Sequence, residues 1–216
     1  MVVKIVKNMN KEAEKLIEDF CEVIKNNEKF LRKYAEETYN ECIELINDAI
    51  DYTKNKENYT NSFYFFSNHI LMPLSYAVWM DLLCGNLPAC FIELRLILES
   101  LAMFFLIGPF SQESEFFKEM LNSALYKEKI SKILKDFGNR IGLKDEPITL
   151  WGKLSENWVH TKGIVRRVVS EIIEKSDVPS WALVIPIGYT NSELEDIKEL
   201  RKRISKLREL IKIAIQ

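Results

Sequence analysis

The sequence predicts an all-α fold, a single-domain helical bundle of about seven helices. Its 216 residues include only seven glycines and six prolines, so the chain is poor in residues that build the turns of a sheet protein. Apolar residues recur three and four positions apart along most of the chain, which is the period of an amphipathic helix. Because 47% of the residues are hydrophobic, one domain over residues 1–216 has ample material for a core.

The bundle is predicted to be organised around one mostly apolar helix at residues 87–107. Asn86 is a candidate N-cap, Pro88 suits a first helical turn, and Gly108 ends the run. The first half of the stretch carries three charged side chains: Glu93, Arg95 and Glu99. Charges deep in a membrane span are costly, so the stretch predicts a buried helix of a soluble domain and no membrane span.

Arg95 and Glu99 are four residues apart and therefore share one helix face, which is otherwise apolar. A buried ion must pair or bind a ligand, because an uncompensated buried charge is strongly destabilising. Two interpretations follow. The pair is either an internal salt bridge that fixes the helix register or the polar floor of a small-molecule site.

Residues 11–55 predict the N-terminal helices, with Asn26 and Asn27 interrupting the first of them. Residues 62–175 predict the helical core, in which Pro73 introduces a kink or a restart. Residues 191–216 predict a C-terminal helix that begins with the capping box Thr190–Glu193.

The C-terminal helix carries an apolar seam in heptad spacing: Ile197, Leu200, Ile204, Leu207, Ile211 and Ala214. This seam packs either on its own domain or on a second copy, in which case it forms a homodimer interface. The basic residues beside the seam are predicted to be solvated: Arg201, Lys202, Arg203, Lys206 and Arg208.

Composition restricts the function classes. The net charge is −2, so no global charge attracts nucleic acid, although residues 151–216 carry 12 basic and nine acidic side chains. Neither His69 nor His160 follows a Glu by three residues, and no Walker loop or dinucleotide glycine motif is present, so neither a metal nor another cofactor is expected. Four cysteines without C-x-x-C spacing and a polar N-terminus predict buried thiols in the cytoplasm.

A helix predicted from about residue 150 to 175 places a polar file opposite its apolar stripe. The file consists of four side chains: Lys153, Glu156, His160 and Arg167. It is either an ordinary solvated face or a site, because two cations beside a histidine form a local anion site.

The segment KLSENWVH, from Lys153 to His160, resembles a motif of the HEPN-like helical bundles, in which four to six residues stand between an Arg and a His on one helix; here six residues stand between Lys153 and His160. The central ELRLILES, from Glu93 to Ser100, is similar to a group of prokaryotic HEPN-like proteins with an Arg and a Glu on an apolar helix. Together the resemblance covers roughly residues 87–168. Lysine in the arginine position keeps the charge but lacks the bidentate fork.

This resemblance implies a metal-independent ribonuclease or an RNA-binding protein of a toxin or defence system. His160 would then move protons while a ribose 2′-hydroxyl attacks the neighbouring phosphate, and Glu156 would orient its ring. Lys153, helped by Arg95 or Arg167, would stabilise the developing charge. The resemblance also implies paired subunits. The alternatives are a non-catalytic interaction module and a small-molecule binder at Arg95 and Glu99.

Overall fold

A computed structural model describes residues 2–108, 118, 127–156 and 188–216, with side chains from residue 13 onward. Within these residues the chain is all-α and contains no strand, which confirms the predicted fold class. The helices in chain order are α1 Val2–Tyr34, α2 Glu36–Lys54, α3 Asn61–Phe66, α4 Met72–Leu83, α5 Leu87–Ile107, α6 Ile130–Arg140, α7 Glu146–Glu156 and α8 Leu194–Ala214. In this part of the chain no helix is long and apolar enough to cross a membrane.

Helix α5 occupies the centre of the bundle, and its bounds agree with the predicted 87–107. It packs against α3, α4, α6, α7 and α8. Leu94, Ile97 and Leu98 are fully buried, as expected for a helix that packs against five others. Asn86 occupies the predicted N-cap position of α5 but makes no side-chain capping hydrogen bond; its side-chain amide donates to Asp81 Oδ1 at 2.9 Å.

The predicted interruption at Asn26 and Asn27 is wrong, because α1 runs unbroken to Tyr34. Asn27 is buried and donates to the Leu83 carbonyl at 2.9 Å, while its side-chain oxygen accepts from the Tyr189 amide at 2.8 Å. These tertiary partners occupy the side chain that would otherwise compete with the helical backbone. The chain turns instead at Ala35, whose φ of −146° is not helical.

Pro73 lies in the first turn of α4, directly after a π-helical turn at Ser67–Leu71. The widened turn accommodates the proline ring without breaking the chain direction from α3 into α4. Ser75 Oγ donates to the Leu71 carbonyl at 2.6 Å, which satisfies an acceptor near the bulge. The predicted kink at Pro73 therefore takes the form of this π-helical turn.

The α6–α7 connection is tighter than the sequence suggested. Helix α6 continues past Gly138 to Arg140, and the Lys144 carbonyl lies so close to Gly138 that a Cβ there would be 1.9 Å from its oxygen. Helix α7 begins at Glu146, four residues before the predicted start, because Pro147 fits a first turn. Gly138 is thus a packing residue and not a helix stop.

Helix α8 packs its heptad seam inside the same chain, against α2, α5 and α7. Ile197, Leu200, Ile204 and Leu207 are fully buried. Of the two interpretations of the seam, packing on its own domain therefore holds. The Thr190–Glu193 capping box is present, with the Thr190 amide donating to Glu193 Oε2 at 2.7 Å.

Arg208 is not solvated as predicted, because it joins α8 to α2 through three carboxylates. Its Nε lies 2.6 Å from Asp48 Oδ2, and its Nη1 lies 2.8 Å from Glu41 Oε1. Glu44 is a third partner at 3.4 Å. Although burial opposes the charge, the hydrogen bonds to Asp48 and Glu41 raise the pKa of Arg208.

Candidate functional site

The predicted pair of Arg95 and Glu99 forms, and Trp151 of α7 joins it. Arg95 Nε donates to Glu99 Oε1 at 2.7 Å, and both side chains are about one-fifth exposed. The Trp151 indole donates to the same Glu99 oxygen at 2.5 Å. The Arg95 guanidinium also lies 4.6 Å from the centroid of the Trp151 ring, a cation–π contact.

This three-residue cluster, which we call the tryptophan clamp, fixes α7 on the central helix. Sequence spacing placed Trp151 on an apolar stripe, but its indole N–H finds a carboxylate as its partner. Trp151 thereby contacts both charged groups of the pair, through its N–H at Glu99 and through its ring at Arg95. The geometry supports the internal salt bridge over the small-molecule floor, and it makes Arg95 and Glu99 positioning residues for α7.

Lys153 lies on another side of α7, about 200° around the helix from Trp151. It lines a cleft of about 460 Å³ between α7 and α8. The cleft contains three further cations from α8, namely Lys202, Arg203 and Lys206. The sequence had assigned Lys153 to one predicted site and these α8 cations to a separate solvated face. The fold brings the two groups together, and we call the result the α7–α8 cleft.

The charges of the α7–α8 cleft are unevenly compensated. Two acids, Asp145 and Glu146, share the lining with the four cations. Lys206 Nζ lies 2.5 Å from Glu146 Oε2 and 3.1 Å from Glu209 Oε2. Lys153 is exposed and has no ion-pair partner among the residues described here. The cleft therefore offers at least one cation that is free to meet an anionic ligand.

Arg203 is the most buried cation of the α7–α8 cleft, with its side chain 17% exposed. Its guanidinium pairs with Glu199 through Nη2, whereas its Nε is buried and has no hydrogen-bond partner in the described part of the chain. Burial lowers the pKa of Arg203, and the nearby charge of Glu156 opposes that effect. A buried donor without an acceptor is destabilising, because its cost of desolvation is not offset.

The polar file is described only in its first half. Lys153 and Glu156 are exposed, as the file predicts, and Glu156 is close enough to Arg203 to influence it electrostatically. His160 and Arg167 lie outside the described residues. The structure thus places Lys153 in the lining of the α7–α8 cleft and Glu156 near Arg203. Arg95 and Glu99 lie in the tryptophan clamp on a different side of α7.

Sequence analysis missed a carboxyl pair that joins α4 to α5. Glu93 hydrogen-bonds to Asp81, and its Oε2 is buried without a hydrogen-bond partner in the described residues. Burial, followed by the hydrogen bond and the charge of Asp81, raises the pKa of Glu93 to about 8. Glu93 was visible as a charge on an apolar helix, but Asp81 lies on another predicted element, so nothing in the sequence linked them.

Metal-ligand side chains do not converge in groups of three or more anywhere in the described ranges. Chemically, the α7–α8 cleft can bind phosphate or carboxylate oxygens through ammonium and guanidinium groups.

No protein-family model matches this chain, and neither a curated protein nor a solved structure does so.

Proposed function

We propose that the protein binds single-stranded RNA through the α7–α8 cleft and cleaves it without a metal, as the HEPN-like resemblance implies. The observation that supports this most directly is the meeting of Lys153 with Lys202, Arg203 and Lys206 in one cleft. A single strand carries one phosphate per nucleotide. Cations from two helices can therefore bind more than one phosphate of the same strand.

The chemistry assigned to the site needs only side chains of this chain. His160 accepts the proton of the ribose 2′-hydroxyl as the 2′-oxygen attacks phosphorus. The protonated His160 then returns this proton to the 5′-oxygen as the P–O5′ bond breaks, which leaves a 2′,3′-cyclic phosphate. Lys153 stabilises the negative charge that develops on the phosphate oxygens. Glu156 lies one helical turn before His160 in sequence and orients its ring.

In this proposal the tryptophan clamp and the α7–α8 cleft have separate tasks. The clamp holds α7 against the central helix by a hydrogen bond at 2.5 Å and a cation–π contact. The α8 cations bind the backbone beside the reacting phosphate. Loss of the clamp should therefore reduce stability and activity together, whereas loss of an α8 cation should reduce binding alone.

The test is a cleavage assay on labelled single-stranded RNA in the presence of a chelator. We expect products that end in a cyclic or simple phosphate on the 3′ side. His160→Ala should abolish cleavage, Glu156→Gln should reduce it, and Lys153→Arg should keep or raise it because arginine restores the bidentate fork. Lys198→Ala, an exposed α8 lysine outside the cleft, is the matched control and should behave like the parent protein.

Three results would contradict this proposal. Cleavage that survives His160→Ala would mean that the histidine is not catalytic or that the activity comes from a contaminant. RNA binding without any cleavage would leave a non-catalytic RNA-binding protein. If neither binding nor cleavage occurs, the interaction-module alternative is favoured.

A further inference from the structure

The first helix carries an apolar stripe that its own domain leaves uncovered. Leu16 is 70% exposed, Ile17 63% and Phe20 38%. Residues 13–22 are exposed throughout, whereas Asn27 and Leu31 further along the same helix are buried. Residues 13–22 of α1 therefore lie beyond the packed body of the bundle.

This stripe belongs to a longer apolar repeat. In the sequence, seven apolar residues before residue 24 alternate four and three positions apart: Val2, Val6, Met9, Ala13, Leu16, Phe20 and Val23. The same register reaches Asn27, which packs on the body through its bonds to α4 and Tyr189. A four-and-three repeat over about three heptads is the pattern of a helix that pairs with another helix.

Charge along α1 indicates which helix would fit. Residues 1–11 contain three lysines, Lys4, Lys7 and Lys11, and no acid. Residues 12–22 contain one lysine and five acids: Glu12, Glu14, Glu18, Asp19 and Glu22. An antiparallel copy of the same helix would place the basic segment of each chain beside the acidic segment of the other. A parallel copy would place like charges together.

We propose that the apolar repeat from Val2 to Val23, of which the exposed stripe is the second half, binds the same repeat of a second copy of this chain, as an antiparallel helix pair across a two-fold axis. Such an interface is isologous, so one patch serves both subunits. The heptad seam of α8 was the dimer interface considered from the sequence, but it is buried within its own chain. The α1 interface takes its place in this proposal. The dimer is independent of the RNA proposal and would position two copies of α1, not two clefts.

A second copy fits the stripe better than a lipid surface does. The exposed apolar residues are surrounded by acids, with Glu14, Glu18, Asp19 and Glu22 on the same stretch. Anionic headgroups would be repelled by those carboxylates, whereas membrane-surface helices carry Lys and Arg on the polar face. The lysines of residues 1–11 on a second copy supply the complementary charge.

The test is sedimentation equilibrium of the whole chain over about 1–100 µM, a range suited to a small interface. We expect a monomer–dimer equilibrium. The double variant Leu16→Glu, Phe20→Glu should weaken dimerisation by about two orders of magnitude, since each copy loses two apolar contacts. The matched control is Tyr76→Glu, Met80→Glu, another exposed pair four residues apart, which are 42% and 43% exposed. This control should dimerise like the parent chain.

Orientation is tested by charge exchange. Glu18→Lys, Glu22→Lys should weaken the dimer, and adding Lys7→Glu, Lys11→Glu in the same chain should restore it only if the helices are antiparallel. Circular dichroism and thermal unfolding confirm that each variant stays folded. A parent chain that is monomeric at the highest concentration overturns the proposal. A dimer unaffected by the Leu16 and Phe20 changes also overturns it, as does a monomer that floats with lipid vesicles.

Discussion

The Trp151 indole donates a hydrogen bond to Glu99 Oε1 at 2.5 Å, and this contact joins α7 to the central helix. Glu99 also accepts from Arg95, whose guanidinium lies over the Trp151 ring. Each member of the tryptophan clamp thus contacts the other two. The clamp thus links the helix that carries Lys153 and Glu156 to a pair of charges on α5.

We expect Arg95→Ala to lower the free energy of unfolding by about 2–3 kcal/mol. It removes a cation–π contact and leaves the Glu99 carboxylate about four-fifths buried without its counter-ion. Lys132→Ala is the control, because the Lys132–Glu128 pair has the same spacing on an exposed surface and its loss should change stability far less. Chemical denaturation measures both. Equal effects of the two substitutions would show that the clamp adds nothing beyond a surface ion pair.

Arg208→Ala should be among the most destabilising charge deletions in the chain, at about 3–5 kcal/mol. Its removal leaves Glu41 and Asp48, each about four-fifths buried, as uncompensated charges on α2. Arg208→Lys should recover part of this loss, because one ammonium cannot bind three carboxylates with the geometry of a guanidinium. Arg201→Ala, whose partner Glu37 is exposed, is the matched control. Equal melting temperatures of the Arg208→Ala and Arg201→Ala variants would show that the interhelical network adds no stability beyond a surface ion pair.

Glu93 should make stability depend on pH between about 4.5 and 8. Its pKa in the folded chain is raised to about 8, so the folded state holds the proton more tightly than the unfolded state does. Stability should accordingly fall as pH rises through this window. Glu93→Gln mimics the neutral carboxyl group and should flatten the dependence, with its largest gain in melting temperature near pH 8–9. The exposed Glu57→Gln is the control, and an unchanged pH profile in Glu93→Gln would contradict the assignment.

The sequence predicted the central helix well because its signals are local. The apolar run, Pro88 and Gly108 are read along one segment, and the structure places the ends at Leu87 and Ile107. The error at Asn27 has the opposite cause. That side chain is satisfied by Leu83 and Tyr189, which are distant in the sequence, so helix propensity alone could not show that α1 continues.

The candidate site was predictable in part. The four-residue spacing of Arg95 and Glu99 predicted a shared helix face, and the structure pairs these two residues. Lys153 and Glu156 are exposed on α7, and their role in a site stays a prediction. The association of Lys153 with the α8 cations depends on how α7 packs against α8, which no local pattern encodes. The burial of Arg203 and Arg208 likewise depends on neighbouring helices, so their basic run was interpreted as a solvated face.

Binding of single-stranded RNA as a function of salt tests the central claim most directly, because the α7–α8 cleft is assigned to phosphate groups. Lys202→Ala, Lys206→Ala should weaken binding and reduce the slope of log affinity against log salt by about 1.4, roughly 0.7 for each lost phosphate contact. The control Lys198→Ala, Lys212→Ala removes two exposed α8 lysines outside the cleft and should leave affinity and slope nearly unchanged. Fluorescence anisotropy supplies both values. Equal affinities and slopes for the two double variants would contradict the assignment of RNA to this cleft.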